Sequence, residues 1–522
     1  MKYMNVLHKL NPDKRPIRVL HIGNLANNAY YNAKYLRCVG VKADVLCYDN
    51  YWVMSSPEWE EVDLDDLPED QNFPNWWSLE LKGYQRPRWF AQGPFETSVK
   101  YLMAKQSGQL QKADLLWEQM EAERRQICDP TYTCTAQRDT TGDRLSDRKQ
   151  SRFIAFPMHF ITKIKRLLRL VSRKLHNDAI LLKPNINPAE ETLLSDFARR
   201  FPNLSDRLIQ QDLLPFQDRA QYIAPLLKQY DIIQGYAIDP LYPMLANFHP
   251  YVAFEHGTLR DAPEASWDFK VPFYNNALGR ITALSYAMAD HVFITNADCL
   301  SSAQRLGLTH YEAIPHPVTE ENDFFPNDRY RDEIRAEVVA QIVLFCPIRH
   351  NWADKGVGRY IRILPQLRTR LGDSFKLCFT PWGQEIERSK ELISALGCQD
   401  LVRWVGPFGK VRFAHWMASA DVVLDQVMYP SFSGITPRAL ACGTPVIAYY
   451  EQKANSWMFD EPAPVLTAQS EAEILTNIDK AITPGFREQY CQTARAWFLK
   501  HHSSERVTKQ LLTVYQSLLA EN

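Results

Sequence analysis

The stretch from Asp421 to Ala448 constrains the fold most strongly, because it has the pattern of a strand, a loop, a helix and a second strand. It opens with the apolar run Val422–Leu424 and closes with the apolar run Val446–Ala448. Thr436 is a suitable N-cap for the intervening helix, and Pro437 suits its first position. A loop that leads into a helix start offers backbone N–H groups to a phosphate, although βαβ connections without a ligand share this pattern.

The same alternation of apolar runs and helical segments occurs in two regions of the chain. We predict strands at 17–22, 43–48, 230–235, 251–254, 290–295, 342–346, 375–379, 401–405, 422–424 and 445–448. A chain of 522 residues is too long for one ordinary core, so two doubly wound α/β domains are expected. The polar stretch from Glu320 to Asp332 marks the crossing between them. We place an N-terminal domain at 1–325, with a largely helical insertion at about 51–185, and a C-terminal domain at 326–488.

Two further patterns in the second region resemble motifs of a known enzyme family. Residues 439–447 read ALACGTPVI, and residues 348–356 read IRHNWADKG, in which Arg349 and Lys355 keep that family's arginine–lysine spacing. Both patterns resemble the retaining GT-B glycosyltransferases of the family-4 type, also called glycosyl transferases group 1. The resemblance covers about residues 17–50 and 230–519. It implies two Rossmann-like domains facing across a cleft, with a final helix at 489–522 that crosses back to the N-terminal domain.

The resemblance also implies roles for individual residues around the cleft. Arg349 and Lys355 would hold the donor diphosphate, and His256, in a His-Gly turn after a strand, completes the catalytic candidates; a capping histidine in a turn is the alternative. The candidates for donor binding are Gly356, Trp382, Gly406, Pro407, Asp425, Ser433, Gly434, Ile435, Thr436 and Arg438. The candidates for the acceptor side are Gly23, Asn24, Asn27, Asn28, Gly257 and Arg260. We expect the asparagine side chains to contact substrate hydroxyls.

The chain departs from the family at two positions of the phosphate loop. Where the family carries two glutamates, this chain has Pro430 and Arg438. Because the second glutamate ordinarily holds the donor ribose, ribose recognition must differ here or be missing, and Asp425 is the candidate substitute acceptor. Arg438 either faces the diphosphate or pairs with a nearby carboxylate.

These patterns predict an enzyme that moves a sugar from a nucleotide sugar to a glycan, lipid-linked or other acceptor, as in polysaccharide biosynthesis. The resemblance implies retention through front-face attack, and cations with backbone donors would stabilise the leaving group without a metal or other cofactor. One alternative is a non-catalytic GT-B relative that binds a nucleotide sugar or a partner chain. Another is a different GT-B chemistry, such as sugar-nucleotide epimerisation or phosphorolysis, although no lysine has a pattern typical of a pyridoxal phosphate site.

Composition excludes several other classes of function. The net charge of −1 does not favour nucleic acid as a partner. The ten cysteines are scattered, as in a reducing compartment, so we expect a cytoplasmic protein. Cys128 and Cys134 lack the partners of a zinc site, and Asp63–Asp65 has the pattern of a solvated acidic loop rather than a metal-binding motif.

The segment Phe160–His176 combines an apolar stripe with a strongly basic surface. Its apolar residues recur at helical spacing, and six lysines and arginines cover much of the remaining face: Lys163, Lys165, Arg166, Arg169, Arg173 and Lys174. Such a helix either lies in an anionic membrane interface on the cytoplasmic side or packs against the N-terminal domain.

Overall fold

Two parallel β-sheets organise the part of the chain that the computed structural model describes, namely residues 15–64, 72–129, 188–202, 207–259, 276–317 and 319–521. The first sheet has the strand order β3-β2-β1-β4-β5-β6-β7. Its strands are β1 (Arg18–Ile22), β2 (Lys42–Tyr48), β3 (Phe90–Gly93), β4 (Ile232–Tyr236), β5 (Tyr251–Phe254), β6 (His291–Ile294) and β7 (Tyr311–Ala313). The predicted doubly wound α/β architecture is confirmed.

The second sheet has the order β10-β9-β8-β11-β12-β13. Its strands are β8 (Ile342–Cys346), β9 (Phe375–Phe379), β10 (Val402–Trp404), β11 (Val422–Leu424), β12 (Val446–Ala448) and β13 (Leu466–Thr467). Adjacent side chains of β8 enter different cores, because successive residues of a strand point to opposite faces. Leu344 joins a cluster with Leu364, whereas Phe345 joins one with Trp416. The near-continuous apolar runs therefore reflect a sheet that is covered on both faces.

Helices connect the strands in both domains. Those up to the first β-sheet's last strand are α1 (Asn28–Cys38), α2 (Pro57–Glu61), α3 (Phe95–Gln106), α4 (Leu110–Cys128), α5 (Pro188–Arg200), α6 (Gln210–Leu227), α7 (Leu241–Leu245), α8 (Asn276–Ala287) and α9 (Leu300–Arg305). Those that follow are α10 (Arg331–Val338), α11 (Trp352–Lys355), α12 (Val357–Arg362), α13 (Leu364–Leu371), α14 (Ile386–Ala395), α15 (Lys410–Ser419), α16 (Ile435–Ala441), α17 (Gln452–Asn455), α18 (Glu471–Ala481), α19 (Phe486–His502) and α20 (Ser504–Glu521). Within the described part of the chain, no helix is both long enough and apolar enough to cross a bilayer.

The structure differs from the predicted elements mainly at sheet edges. β3 was not predicted, because its four residues lie between prolines and aromatic side chains, but they pair in parallel with β2. The short strands β7 and β13 were also missed. The predicted final helix at 489–522 is two helices, α19 and α20, separated at Ser503, whose ψ of 152° is extended.

The last helix, α20, packs on the first sheet. Val507, Leu511 and Tyr515 are fully buried there, in a cluster that includes Ile232 of β4. The hydroxyl of Tyr515 donates to Gln234 Oε1 at 2.7 Å. The chain therefore returns to the N-terminal domain after completing the second sheet.

The strand order of the second sheet reverses between β8 and β11. In open parallel sheets, ligands bind beyond the carboxyl ends of the strands at such a reversal. The loop after β8 carries Arg349, and the loop after β11 carries Ser433 and Gly434. Four predicted features lie outside the described residues: Asp65, Cys134, the segment Phe160–His176 and Arg260.

Candidate active site

A cleft lined by both domains lies at the reversal point of the second sheet. It contains two adjoining cavities with empty volumes of about 850 and 840 Å³, counting their open mouths. Seven residues line both cavities: Met54, Glu60, Arg349, Lys355, Ser433, Gly434 and Arg438.

Arg349 follows β8 and is held by aromatic rings. Its Cζ lies 5.0 Å from the ring centroid of Trp52 and 5.7 Å from that of Trp382. Trp382 is fixed in turn, because its Nε1 donates to the carbonyl of Pro347 at 3.0 Å. Crowding by protein atoms lowers the pKa of Arg349 from its ordinary value, although the side chain still reaches solvent and an arginine remains charged. Among the described residues it has no ion-pair partner, so its charge is available to an anion.

Lys355 ends the short helix α11. The side chain of Asn351 caps this helix by accepting from the backbone N–H of Asp354 at 3.2 Å. Gly356 then turns the chain with a φ of +76°, and a Cβ at this position would lie 2.6 Å from Val427 Cγ2. Gly356 therefore serves the turn that aims Lys355 into the cleft, rather than lining the cleft itself.

Asp425 stabilises the loop that follows β11 through hydrogen bonds on its buried side. Its carboxylate is fully buried and accepts from Ser433 Oγ at 2.7 Å, from Thr436 N–H at 3.1 Å and from Thr436 Oγ1 at 2.6 Å. The interpretation of Asp425 as a substitute ribose acceptor is not supported, because these bonds occupy the carboxylate beneath the loop. Thr436 is likewise buried, and α16 begins at Ile435 with Gly434 as its N-cap instead of Thr436. Ser433, Gly434 and Ile435 line the first cavity.

His256 lies in the second cavity beside Arg349 and Lys355. Asn28 Nδ2 lies 3.0 Å from His256 Nδ1. Because an amide nitrogen can only donate, His256 Nδ1 accepts, and the neutral ring carries its proton on Nε2. The ring of His316 lies nearly perpendicular to that of His256, and the two ring centroids are 5.0 Å apart. Gly257 follows His256 along the same wall.

The other wall of the first cavity is aromatic. Trp382, Pro407 and Phe408 line it together with Thr380 and Phe413. Gly406 precedes Pro407 in the chain but does not line the cavity. A flat apolar wall beside a cluster of cations can receive a planar base next to a diphosphate.

Comparison with known proteins shows which proteins the chain resembles. A family model described as glycosyl transferase-like matches residues 359–513. The chain is 29% identical to the D-inositol 3-phosphate glycosyltransferase of Salinispora tropica over 209 residues, which are 37% of this chain and 43% of that protein. It thus spans less than half the length of this curated relative. The chain is similar to the group 1 glycosyltransferases of GT-B fold, from which it diverges.

Solved structures agree on the fold. A glycosyltransferase from Rickettsia africae superposes with a TM-score of 0.52 at 11% identity. The superposition covers 98% of this chain and 100% of the Rickettsia africae chain. The Anabaena protein HepE, solved with UDP and glucose, has a TM-score of 0.47 at 16% identity over 64% of this chain and 97% of its own. At 11% identity the likeness to the Rickettsia africae structure establishes the fold alone.

The structure differs from the expectation on the acceptor side. Asn24 and Asn27 are buried, and their amides donate to the carbonyls of Ser55 at 3.0 Å and Ser56 at 3.3 Å. They fasten the segment Val53–Glu61 to the N-terminal domain and are not placed to contact substrate hydroxyls. Position 23 requires a glycine, because its φ is +86° and a Cβ there would lie 2.1 Å from Asp239 Oδ2.

The contribution of the N-terminal domain to the cleft was not predicted from the sequence. Met54, Trp59 and Glu60 line the first cavity, although they come from an aromatic-rich excursion with no recognisable motif. Glu60 Oε2 lies 3.6 Å from Arg438 Nη2. Arg438 thus lines both cavities while pairing with a carboxylate of the other domain, the second of its two predicted roles.

Proposed function

We propose that this chain transfers a sugar from a nucleotide-sugar donor to a hydroxyl group of a glycan, lipid-linked or other acceptor. The observation that carries the proposal is the convergence of Arg349, Lys355 and the Ser433–Ile435 loop in one interdomain cleft. Two cations beside backbone N–H groups suit the diphosphate of such a donor. The aromatic wall formed by Trp382, Pro407 and Phe408 accommodates its base.

The reaction requires stabilisation of the departing diphosphate. As the glycosidic bond breaks, negative charge grows on the leaving phosphate oxygen. Preorganised cations at that position lower the barrier, because they are already oriented when the charge develops. Arg349 and Lys355 perform this role, and His256 donates from Nε2 to an oxygen of the bound substrate.

We further propose that the transfer retains the anomeric configuration, with the leaving phosphate assisting attack from the same face. No metal or other cofactor takes part in this mechanism. A lipid-linked acceptor would be reached from the cytoplasmic face of a membrane, with Phe160–His176 providing peripheral contact. This setting suits polysaccharide biosynthesis.

A panel of nucleotide sugars tests the proposal. The chain is incubated with UDP-, GDP-, ADP- and dTDP-linked sugars, and released nucleotide is measured with and without cell-extract acceptors. We expect release that depends on one donor and rises with acceptor, and an anomeric proton signal in the product that matches the donor's configuration. Tight donor binding without any release would instead favour the non-catalytic alternative. No binding of any donor would contradict both.

A further inference from the structure

Glu60 is the negative charge of an otherwise cationic cleft. Among the described residues that line the two cavities, it is the only carboxylate. The charged residues around it are Arg349, Lys355, Lys410 and Arg438. Glu60 is only 3% exposed, yet it borders both cavities. A buried carboxylate that faces a ligand cavity is a strong acceptor for hydroxyl groups.

The three acids of helix α2 are held in different ways. Glu58 forms a bidentate pair with Arg86, with distances of 2.6 and 2.8 Å, and Glu61 binds Lys34 at 2.8 Å. These are tight ion pairs of the kind that stabilise a fold. Glu60, by contrast, has its cation at 3.6 Å. Short charge-assisted bonds are about 2.7–2.9 Å, so Arg438 leaves the acceptor capacity of Glu60 largely unused.

Neutral donors of the N-terminal domain orient Glu60. The hydroxyl of Tyr31 donates to Oε2 at 3.0 Å, and the amide of Asn27 lies 3.4 Å from Oε1. Each carboxylate oxygen has two acceptor positions. One position on each oxygen thus remains for a ligand, a geometry that suits two neighbouring hydroxyl groups.

We propose that Glu60 accepts hydrogen bonds from vicinal hydroxyl groups of the bound nucleotide sugar, and that Arg438 positions it. The inference rests on the proposed function. It assigns hydroxyl recognition to the N-terminal domain and diphosphate recognition to the C-terminal domain. The donor therefore contacts both walls of the cleft, and its hydroxyl pattern is read only when Glu60 and Arg438 lie together. The vicinal pair belongs either to the ribose or to the transferred sugar.

Isothermal titration calorimetry of Glu60→Gln separates these sources. The ligands are UDP, GDP and ADP, their 2′-deoxy forms, and UDP-glucose, GDP-mannose and ADP-glucose. If Glu60 reads the ribose, the wild type prefers the ribose form by about 10- to 100-fold and Glu60→Gln loses that preference. If it reads the transferred sugar, Glu60→Gln loses a similar advantage of the nucleotide sugar over the free diphosphate. Glu61→Gln, which alters an acid of the same helix outside both cavities, keeps both preferences.

Two results overturn the inference. If the wild type binds these ligands and Glu60→Gln retains every preference, Glu60 serves only as an interdomain ion pair. If the wild type binds no ligand of the set, the proposed function fails and the inference fails with it. Glu60→Asp covers the case in which Glu60→Gln does not fold. It keeps the charge but shortens the reach, so it too should lose the preference, and retention of the preference counts against the inference.

Discussion

Single side chains determine how the cleft holds its positive charge. Arg349 is supported by the faces of two tryptophans rather than by an acid. An aromatic face stabilises a guanidinium without neutralising it. The charge therefore remains available to a phosphate, whereas the paired arginines of the interior, such as Arg86, are committed to carboxylates.

Replacing either Arg349 or Lys355 should strongly reduce transfer. We expect Arg349→Ala and Lys355→Ala each to lower turnover by about 10²- to 10³-fold, because each removes a donor to the leaving diphosphate. Thermal melting should stay close to that of the wild type, since both side chains border an open cavity. Arg388→Ala is the control, because Arg388 stacks on Trp352 outside both cavities. Turnover near the wild-type rate in either cleft variant would remove the diphosphate assignment.

Arg438 tests the charge pairing across the cleft. In Arg438→Glu a carboxylate would stand near Glu60, which now lies 3.6 Å from the guanidinium. Two like charges about 4 Å apart near a protein surface repel by roughly 4 kcal/mol. We expect Arg438→Glu to weaken nucleotide binding and to lower the melting temperature, whereas Arg438→Lys retains part of the affinity. Calorimetry showing nucleotide affinity at or above the wild-type value in Arg438→Glu would contradict this.

Asp239 should make stability depend on pH. Burial raises the pKa of its carboxyl to about 7, although the Tyr48 hydroxyl donates to it and Arg219 favours the charged form. The folded state thus holds a proton that the unfolded state releases near pH 4, so folding stability falls as pH rises from about 4 to about 7. The loss is up to ~4 kcal/mol. Asp239→Asn should flatten this fall in urea titrations at pH 4.5 and pH 8. An equal fall in wild type and variant would exclude Asp239 as its source.

At the scale of elements, one short N-terminal segment provides the part of the cleft that was not predicted from the sequence. The residues Val53–Glu61 form a 3-10 turn and helix α2, which Asn24 and Asn27 fasten to the N-terminal domain. The main chain of Gly409, at the start of α15, lies so close to this region that a Cβ would be 3.0 Å from the carbonyl of Val62. The segment therefore reaches the C-terminal domain and closes one side of the cleft.

The basic segment Phe160–His176 makes a separate prediction for membrane contact. If it serves a membrane-bound acceptor, the protein should sediment with phosphatidylserine vesicles at low salt, and binding should weaken as salt rises. Changing Lys163, Lys165, Arg166 and Arg169 to glutamate should release it without lowering thermal stability. The matched control changes four exposed lysines to glutamate, namely Lys100, Lys112, Lys453 and Lys509, so that its net charge equals that of the test variant. A wild type that ignores such vesicles at low salt would indicate a packing helix.

At the scale of the whole molecule, charge links the two domains through the linker. Glu320 accepts from Lys34 of the first domain and from Lys410 of the second, each at 2.9 Å. Burial alone would lower the pKa of Lys410, but Glu320, Glu61 and Asp323 together raise it above its ordinary value. Because Lys410 also lines the first cavity, the linker and the cleft belong to one electrostatic network.

This arrangement leads us to expect transfer without a divalent metal. In the proposed mechanism, the charge opposite the diphosphate comes from side chains of the protein, chiefly Arg349 and Lys355. Turnover should therefore be unchanged in excess EDTA and should not rise when Mg²⁺ or Mn²⁺ is added back. Complete loss in EDTA that Mg²⁺ reverses would contradict the proposal.

The sequence by itself determined the central strands and their order along the chain. The apolar run 342–346 and the run 375–379, which only Lys376 interrupts, became β8 and β9 without change, because strands covered on both faces are predominantly apolar. Arg349 and Lys355 could be located because local motifs set their spacing. Edge strands such as β3 could not, since partial pairing imposes no clear pattern.

Only the tertiary structure decided which side chains face the cleft. Ala26 and Asn27 adopt left-handed backbone angles, with φ of 49° and 56°, and this turns the neighbouring asparagines inward. Asp425 is buried beneath its loop, because the hydroxyl groups of Ser433 and Thr436 donate hydrogen bonds to its carboxylate. Glu60 reaches Arg438 across 378 positions of sequence because two domains meet there, and no local pattern encodes that meeting. Side-chain direction depends on backbone angles and on distant partners, which a single sequence does not reveal.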